Sequence, residues 1–574
     1  MAITDRLLNE PKLVDLMLRG DQAKHLKSKI HLLKSLDLSE RQTCDVEMLL
    51  NGAFSPLTGF MNENDYNNVC KNMRLVSSTL WPIPITLDII ERFANGLKIG
   101  EKIALKDIQG VTLAVLLIES IWKPDKIKEA KLVFGTTDTT HPGVDYLLNK
   151  SGDYYIGGAL IGLEMPTHYD FNSLRLSPLE LRKKFKDMEW DKVVAFQTRN
   201  PMHRAHVELT LRATKKTGAK LLINPVVGMT KPGDIDHYTR VRGYEKILGR
   251  YPESLAELSL LPLAMRMAGP REAIWHMIIR KNYGLTHFIV GRDHAGPGKD
   301  SSGKEFYGPY DAQVLAEKYA KEVGIEIVPF KIMVYLENQD TYVPDDEVPV
   351  GDSVKNISGT ELRSLLTSGG SLPDWFTYSE IADELKLTYP SRDKQGLVIF
   401  LTGLSGSGKS TIANALMIKL LEIGGRTVSL LDGDIVRKQL SSELGFSKTD
   451  RSLNVRRVGY VASEISKHRG IAITALISPY DDDRKEVKKL VENKYGSFIL
   501  VYLSTPIEIC EKRDRKGLYA AARSGSIKEF TGISDPYEIP DGANIVINTD
   551  KLSISDSVDE ILQYLKNNGY VIES

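Results

Sequence analysis

The sequence is poor in cysteine. It has three cysteines in 574 residues, Cys44, Cys70 and Cys510, and they stand far apart. Such a small and odd number excludes a disulfide framework and a cysteine-based metal site. Few, scattered cysteines are typical of proteins from reducing compartments. We therefore expect a cytoplasmic location.

The chain also lacks an excess of charge of either sign and any long apolar run. Lys plus Arg and Asp plus Glu both number 75, so the net charge is zero, which argues against nucleic acid or an anionic membrane surface as a partner. No stretch approaches the roughly 20 apolar residues that cross a bilayer. The first residues do not resemble a secretion signal. These absences favour a cytoplasmic enzyme that acts on small molecules.

At 574 residues, the chain is too long for one hydrophobic core. The first part combines short alternating apolar runs with many turn residues, which predicts a mostly β, barrel-like domain. Further on, apolar strands alternate with helical stretches, the βαβ pattern of a parallel sheet covered by helices. A small segment with a polar, turn-rich linker separates this domain from a second α/β domain. The predicted domains are 1–170, 171–330, 331–393 and 394–574.

A glycine-rich phosphate loop follows the first strand of the last domain. An apolar run at 397–401 leads into Gly403-x-x-x-x-Gly408-Lys409-Ser410, and a helix-forming stretch comes next. Glycines let backbone N–H groups surround phosphate oxygens, and the helix adds the positive end of its dipole. We expect Lys409 to reach the β- and γ-phosphates and Ser410 to hold the Mg²⁺ that accompanies ATP; no tightly bound cofactor is expected. The predicted ATP-binding residues are Gly403, Ser405, Gly406, Ser407, Gly408, Lys409, Ser410 and Thr411.

A second candidate site lies where a predicted strand at 192–196 ends. There the chain reads Gln197-Thr-Arg-Asn-Pro-Met-His203-Arg-Ala-His206, and a helix is predicted from 203. The two histidines are three residues apart and so share one helix face. With Arg199 at the helix N-terminus, they suit a polyphosphate that gains charge during a reaction. A zinc-binding pair and ordinary surface histidines are alternatives, although no partner ligand stands at zinc spacing.

A third loop follows the predicted strand at 286–291. It reads Gly291-Arg-Asp-His-Ala-Gly-Pro-Gly298, and its glycines allow the backbone to approach a planar base or a ribose. Arg292 and His294 add hydrogen-bond donors. A surface turn would explain the glycines but not Arg-Asp-His directly at a strand end. Since sites in open α/β sheets lie at the carboxyl ends of strands, we favour a nucleotide contact.

Together these two loops resemble those of ATP sulfurylases, nucleotidylyltransferases with an H-x-x-H signature. Three further motifs stand in family order: Asn51-Gly-Ala-Phe-Ser-Pro-Leu-x-Gly-Phe60, Phe306-Tyr-Gly-Pro-Tyr-Asp-Ala-Gln313 and Ile357-Ser-Gly-Thr-x-x-Arg363. The resemblance covers about 1–390 and implies a PUA-like barrel followed by a Rossmann-like nucleotidylyltransferase domain. The implied reaction is attack of sulfate on the α-phosphorus of MgATP, giving adenylyl sulfate (APS) and pyrophosphate.

The resemblance also implies roles for individual residues. Thr198, Arg199 and Asn200 would lie at the reacting centre, and His203 and His206 would stabilise the ATP phosphates. Sulfate is already ionised, so no general base is needed and catalysis rests on positioning and charge stabilisation. The residues expected around sulfate or the nucleotide are Gln197, Arg199, Asn200, Gly291, Arg292, Asp293, His294, Ala295 and Met333.

The last domain resembles APS kinases over about 396–574. The implied reaction transfers the γ-phosphoryl group of ATP to the 3′-hydroxyl of APS and gives PAPS. Asp434 would be the base or the metal-positioning group, and Ser478 stands where the family often marks a phosphoserine, although direct transfer is the simpler interpretation. The residues expected to contact APS are Asp432, Asp434, Arg437, Phe446, Arg451, Asn454, Ile477, Ser478, Lys516 and Phe530.

Three positions depart from the usual kinase pattern: Ile435 stands in place of Asn, Leu453 in place of Glu and Asp481 in place of Arg. Each change loses a polar or positive group near an anionic substrate. The leading hypothesis is a bifunctional, homo-oligomeric enzyme that makes PAPS. Two alternatives stay open, a sulfurylase with a regulatory, non-catalytic kinase-like domain and a sulfurylase that runs in the ATP-forming direction.

Overall fold

A mixed sheet of six strands organises the first part of the computed structural model, which describes residues 12–231 and 233–572. The strand order is β1-β4-β5-β6-β2, with β3 also paired to β6. β1 runs parallel to β4 and the other pairs are antiparallel. The strands are β1 (Lys34–Asp37), β2 (Gly59–Phe60), β3 (Leu87–Ile89), β4 (Lys102–Lys106), β5 (Thr112–Trp122) and β6 (Tyr154–Gly162).

Close packing within this sheet requires glycine at one point of β6. Gly158 has φ 155°, and a Cβ there would lie 1.9 Å from the carbonyl oxygen of Leu117 on β5. The register of β5 and β6 also shifts between Ile118 and Ser120, which bends the pair. Short helical segments surround the sheet: Gly20–Lys29, Ile30–Leu32 (3₁₀), Glu40–Leu50, Glu63–Asn72, Glu91–Ala94, Lys126–Val133, Pro142–Asp145 and Tyr146–Lys150 (π).

The second sheet has five parallel strands in the order β11-β10-β7-β8-β9. From β7 the chain first moves outward through β8 and β9 and then returns to β10 on the other side of β7. The switch point of this sheet therefore lies between β7 and β10. The strands are β7 (Val193–Phe196), β8 (Lys220–Ile223), β9 (Ala256–Leu258), β10 (His287–Val290) and β11 (Glu326–Pro329). The associated helices are Asn172–Leu174 (3₁₀), Pro178–Asp187, Arg204–Thr217, His237–Leu248, Gly269–Asn282 and Asp311–Val323.

A small antiparallel sheet follows, in the order β13-β12-β14. Its strands are β12 (Met333–Leu336), β13 (Thr341–Pro344) and β14 (Val354–Lys355), and 3₁₀ turns occur at Glu337–Gln339 and Asp345–Glu347. The helices Gly359–Thr367 and Ser379–Thr388 complete this segment. By its internal contacts, the chain divides into one unit that extends to Asn356 and includes Pro373–Glu384, and another made of Ile357–Leu372 and Leu385 onward.

The last sheet is again parallel, in the order β16-β17-β15-β18-β19. Its central strand is buried along its whole length, as expected for a parallel strand covered by helices on both faces. The strands are β15 (Leu397–Gly403), β16 (Val428–Asp432), β17 (Ile471–Ala475), β18 (Ser497–Leu503) and β19 (Ile545–Ile547). The helices are Lys409–Ile423, Gly433–Leu440, Lys448–Lys467, Asp481–Glu492, Ile507–Arg513, Leu518–Arg523 and Ile554–Asn567.

The predicted fold class, an α/β chain of several domains with a β-rich first part, is confirmed. Both regions that the sequence assigns to parallel sheets contain them, because their apolar runs are long enough to be buried on both faces. Within residues 12–231 and 233–572, no helix is both long enough and apolar enough to cross a membrane.

A buried ion pair gives a stability prediction for the first unit. Arg266 Nη2 lies 2.6 Å from Asp45 Oδ2, and the two side chains are 1% and 2% exposed. Asp45→Ala would leave an uncompensated buried guanidinium and should lower the free energy of unfolding by about 3–5 kcal/mol. Urea denaturation measures this loss. Asp21→Ala is the matched control, because the Asp21–Lys24 pair is exposed and should contribute less than about 1 kcal/mol; equal effects would contradict the prediction.

Candidate active sites

The first candidate site lies at the switch point between β7 and β10. Because these strands are paired in parallel, the loops that follow Phe196 and Val290 leave the sheet at the same edge. Arg199 Nη2 donates to the carbonyl oxygen of Gly296 at 3.3 Å and so joins the two loops. The structure therefore brings together two motifs that are about 90 residues apart in the sequence.

Arg199 is held by a carboxylate from a third loop. Its Nη1 donates to both oxygens of Asp234, at 2.6 and 2.8 Å, and both side chains are largely buried. An arginine in such a place needs an anionic partner, since leaving the charge unpaired is strongly destabilising. An oxyanion that binds Arg199 therefore competes with Asp234.

Gln197 and Thr198 contribute to the site in different ways. The hydroxyl of Thr198 shapes the loop: it donates to the carbonyl oxygen of Asn200 at 2.9 Å and accepts the Asn200 N–H at 3.0 Å. Gln197 Oε1 is buried and has no hydrogen-bond partner among the described residues. Because the oxygen and nitrogen of an amide exchange places by a rotation, Gln197 can offer either an acceptor or a donor to a ligand.

His203 and His206 are neutral imidazoles. His206 Nδ1 accepts the N–H of His203 at 3.0 Å, so the ring proton of His206 is on Nε2. His203 Nδ1 lies 2.9 Å from Thr377 Oγ1, and its ring packs on Phe376. Burial lowers the pKa of His203 to about 3 and that of His206 to about 4. The pair therefore offers hydrogen bonds rather than positive charge.

The loop that follows β10 is held in an unusual backbone conformation. Asp293 and Ala295 have φ 52° and 55°, a region that residues other than glycine seldom adopt. A Cβ on Gly296 would lie 1.8 Å from Asp293 Oδ1, so this glycine is required, whereas a Cβ on Gly291 would meet nothing within 4 Å. Arg292 is exposed and His294 is half-buried. Gly291 thus leaves open space at the strand end.

Met333 lies beyond the same edge of the sheet. Val290 pairs with Pro329 in the register of β10 and β11. Gln313 Nε2 donates to the carbonyl oxygens of Val290 and Phe330, both at 2.8 Å, and so fixes the chain that leads into β12. Met333 is buried at the start of that strand. This position is compatible with the predicted nucleotide contact.

The second candidate site is built on the phosphate loop after β15. Gly403, Gly406 and Gly408 all have positive φ, and a Cβ on Gly406 would lie 2.9 Å from the carbonyl oxygen of Cys510. Lys409 Nζ donates to the carbonyl oxygens of Gly403 and Leu404 at 3.0 and 2.7 Å. Burial lowers the Lys409 pKa to about 8. The loop thus encloses its own lysine.

Two oxygen ligands suitable for Mg²⁺ lie beside this loop. Ser410 Oγ donates to Asp432 Oδ2 at 2.5 Å, and Asp432 Oδ1 accepts the N–H of Asp434 at 3.0 Å. Hydroxyl and carboxylate oxygens are the ligands that Mg²⁺ prefers when it is bound together with nucleotide phosphates. The pair Ser410 and Asp432 therefore fits the ion that ATP would bring.

Several predicted APS contacts have protein partners. Lys516 forms an ion pair with Asp434. The guanidinium of Arg437 lies 4.4 Å from the ring centroid of Phe446, which is 61% exposed. Phe530, in contrast, is buried against Tyr519, with ring centroids 5.0 Å apart. The two phenylalanines predicted near the base thus differ, one being an exposed platform and the other part of the core.

Arg451 is fixed by the loop that carries Phe530. Its Nη1 donates to Asp535 Oδ2 at 2.5 Å and to Thr531 Oγ1 at 2.7 Å, and the hydroxyl of Tyr480 donates to the same Asp535 oxygen at 2.8 Å. Asn454 Oδ1, which is buried on the same helix as Arg451, has no hydrogen-bond partner among the described residues. Asn454 is therefore the better placed of the two to receive a ligand without first losing a bond.

Ile477 and Ser478 follow β17 at the same edge as the phosphate loop. Thr402 Oγ1 donates to the carbonyl oxygen of Ile477 at 2.6 Å, and Arg484 Nη1 donates to that of Ser478 at 2.7 Å. Ser478 has φ 42°, and its buried hydroxyl lacks a hydrogen-bond partner within the described part of the chain. A strained backbone and an unpaired hydroxyl together are typical of functional positions.

The sequence did not single out Asp234, Thr377 or Asp535, which hold Arg199, His203 and Arg451. Each lies at least 35 residues from its partner. No spacing rule connects residues so far apart. The expectation that a buried cation needs a carboxylate could have prompted a search, but many carboxylates would have qualified.

Comparisons with known proteins agree with two sites in two halves. Three family models match the chain: PUA-like domain at 8–165, ATP-sulfurylase at 172–387 and adenylylsulphate kinase at 395–548. The sulfate adenylyltransferase of Chaetomium globosum is 53% identical over 562 residues, which are 97% of this chain and 98% of that protein. The chain belongs to the sulfate adenylyltransferase family. That of Emericella nidulans is 53% identical over 565 residues, again 97% and 98% of the two chains.

A solved structure also matches over the full length of this family member. It is described as a hexameric APS kinase from Thiobacillus denitrificans, with 35% sequence identity, a TM-score of 0.80 and 98% of each chain covered. The resemblance inferred from the motifs is therefore confirmed. We call the two parts the sulfurylase half and the kinase half.

The three departures in the kinase half have different surroundings. Asp481 is neutralised by Lys485 at 2.6 Å and Arg484 at 3.2 Å, so its negative charge is balanced within its own helix. Ile435 is 59% exposed and Leu453 is 38% exposed. The apolar replacements therefore reach solvent, whereas the acidic one is compensated.

The neutral state of His206 predicts how stability depends on pH. Its pKa of about 4 in the folded chain lies below the usual 6.5, so below about pH 6.5 the unfolded chain takes up a proton that the folded chain does not. This costs about 1.4 kcal/mol at pH 5.5 and nothing at pH 8. Urea unfolding should show that His206→Asn, whose Oδ1 can still accept the His203 N–H, loses less stability by about that amount. Equal losses in both proteins would contradict a neutral His206.

Proposed function

We propose that this chain activates sulfate in two steps, making APS from ATP and sulfate in the sulfurylase half and PAPS from ATP and APS in the kinase half. The observation that carries the proposal is a phosphate-binding edge in each half, in the order in which the product of the first becomes the substrate of the second. Forming the phosphosulfate anhydride is uphill, and removal of APS draws it forward.

In the sulfurylase half, Arg199 and the amide of Gln197 would bind sulfate, and Arg199 would exchange Asp234 for the oxyanion. Sulfate then attacks the α-phosphorus of ATP in line, and pyrophosphate leaves. His206 would donate its Nε2 proton as a hydrogen bond to the phosphates, with His203 beside it. Thr198 and Asn200 keep the loop in shape, and the loop Gly291–Ala295 with Met333 would hold the nucleotide. Catalysis therefore comes from positioned donors.

In the kinase half, residues Gly403–Thr411 would hold ATP, and Lys409 would turn from its own loop carbonyls to the phosphates. Mg²⁺ bound with ATP would neutralise phosphate charge, and Ser410 and Asp432 would hold it. Asp434 would orient the 3′-hydroxyl of APS or accept its proton. APS itself would contact Arg437, Phe446, Arg451, Asn454, Ile477, Ser478, Lys516 and Phe530.

The exposed Ile435 and Leu453 favour a second candidate function for the kinase half. Without the polar groups usual at these two positions, this half could bind PAPS and regulate the sulfurylase instead of making PAPS. The complete phosphate loop argues for catalysis, because a binding site without turnover does not need both Lys409 and Ser410. The sulfurylase reaction could also run toward ATP, since one site serves both directions.

We further propose that the chain forms a homo-oligomer in the cytoplasm. A relative that it matches along its full length is described as hexameric. Its three cysteines are unpaired and buried, which suits a reducing compartment.

Two reciprocal variants test the two-step proposal. Arg199→Ala should lower pyrophosphate release from ATP and sulfate by roughly 10²–10³-fold, since it removes the main oxyanion donor, yet it should still phosphorylate supplied APS. Lys409→Ala should make no PAPS but should keep its sulfate-dependent pyrophosphate release. Pyrophosphate release that survives Arg199→Ala would contradict the assignment of the sulfurylase site.

A separate measurement decides between the two candidate functions of the kinase half. Purified protein with MgATP and APS should yield PAPS that is detectable by ion-exchange chromatography. If no PAPS forms, while added PAPS changes the sulfate dependence of pyrophosphate release, the regulatory function replaces the catalytic one. Lys409→Ala is the control that ties either result to the phosphate loop.

A further inference from the structure

Three buried titratable groups form a line that ends in the nucleotide loop. Glu272 and His276 are one turn apart on the helix Gly269–Asn282, and both side chains are 0% exposed. Glu272 Oε1 lies 3.3 Å from His276 Nε2, and His276 Nδ1 lies 3.0 Å from His294 Nε2. Only His294 has a role in the function proposed above. The other two need a separate explanation, because buried polar groups are retained where they do something.

The acceptors of Glu272 define the direction of this line. Its Oε1 accepts the N–H of Arg266 at 3.0 Å, and its Oε2 accepts the N–H of Ala268 at 2.7 Å. Burial raises the Glu272 pKa, while these two donors and the charge of Arg266 lower it. Since both oxygens already accept hydrogen bonds, the residue acts as a carboxylate toward His276 Nε2, and that nitrogen carries the proton.

The remaining protons follow from the first one. Burial holds the pKa of both His276 and His294 well below the usual value, so each neutral ring has one proton. With His276 protonated on Nε2, its Nδ1 is an acceptor. His294 must then donate from Nε2, which leaves its Nδ1 as the acceptor of the ring.

We infer that Glu272 and His276 are positioning residues that hold His294 in the Nε2–H tautomer and thereby orient the loop Gly291–Ala295 for the nucleotide. The inference rests on the proposed sulfurylase function. His294 presents an acceptor, Nδ1, to a donor of the nucleotide such as a hydroxyl or amino group. Phe288, whose ring meets that of His294 edge to face at 5.4 Å, supports the ring without affecting its tautomer.

Glu272→Gln separates this role from packing, because it keeps the volume and changes the proton pattern. An amide nitrogen beside His276 Nε2 would donate to it, which moves the proton of His276 to Nδ1 and that of His294 to its own Nδ1. The kcat/KM for ATP in APS formation should fall roughly tenfold or more, with a smaller change in the KM for sulfate. His276→Asn should retain most activity, since Asn Oδ1 takes the place of His Nδ1, whereas His276→Phe should not.

The tautomers are read directly from ¹⁵N spectra of the full chain labelled with [¹⁵N]histidine, with His276→Asn and His294→Asn to assign the signals. The wild-type protein should show both rings protonated at Nε2, and Glu272→Gln should show both protonated at Nδ1. A wild-type His294 protonated at Nδ1, or Glu272→Gln with unchanged tautomers and unchanged kcat/KM, would overturn the inference. If the wild-type chain made no APS, the proposed function would fail, but the spectra would still test the tautomers.

Discussion

Positive charge buried at the ends of parallel strands is the constraint on which both candidate sites depend. Arg199 is paired with Asp234 and Arg451 with Asp535, while Lys409 donates to carbonyls of its own loop. Since an unpaired buried cation is strongly destabilising, each internal acceptor stabilises the fold and also holds the cation in place. A sulfate or phosphate group therefore competes with an acceptor already present. This competition lowers affinity but avoids reorganisation of the site during the reaction.

The two halves solve the same geometrical problem with different loops. In the first, the loops after β7 and β10 meet at a switch point, and two neutral histidines and an amide surround a held arginine. In the second, one glycine loop encloses its lysine, and Asp432 on the neighbouring edge meets Ser410. Neutral donors suit an attack by ionised sulfate, which needs no base. The hydroxyl attack in the kinase half requires a carboxylate such as Asp434.

The network behind His294 extends this contrast. Glu272, His276 and His294 are buried and yet are not placed to exchange a proton with solvent. Their value lies in the direction of each hydrogen bond, which a low-dielectric interior makes rigid. The kinase half uses a comparable device at Asp535, where Arg451 and Tyr480 donate to one oxygen. In both halves, the residues that would touch substrate are thus oriented by partners behind them.

The sequence by itself determined the parallel sheets, the glycine loop at 403–410 and the two motifs after β7 and β10, because strand periodicity, glycine spacing and loop composition are local properties. It also indicated the family, since the motifs stand in a recognisable order. Only the tertiary structure decided that Arg199 pairs with Asp234, that Asp481 is neutralised by Lys485, and that His203 and His206 are neutral. Ion pairing and pKa depend on burial and on neighbours distant in the chain, and local sequence carries no information about either.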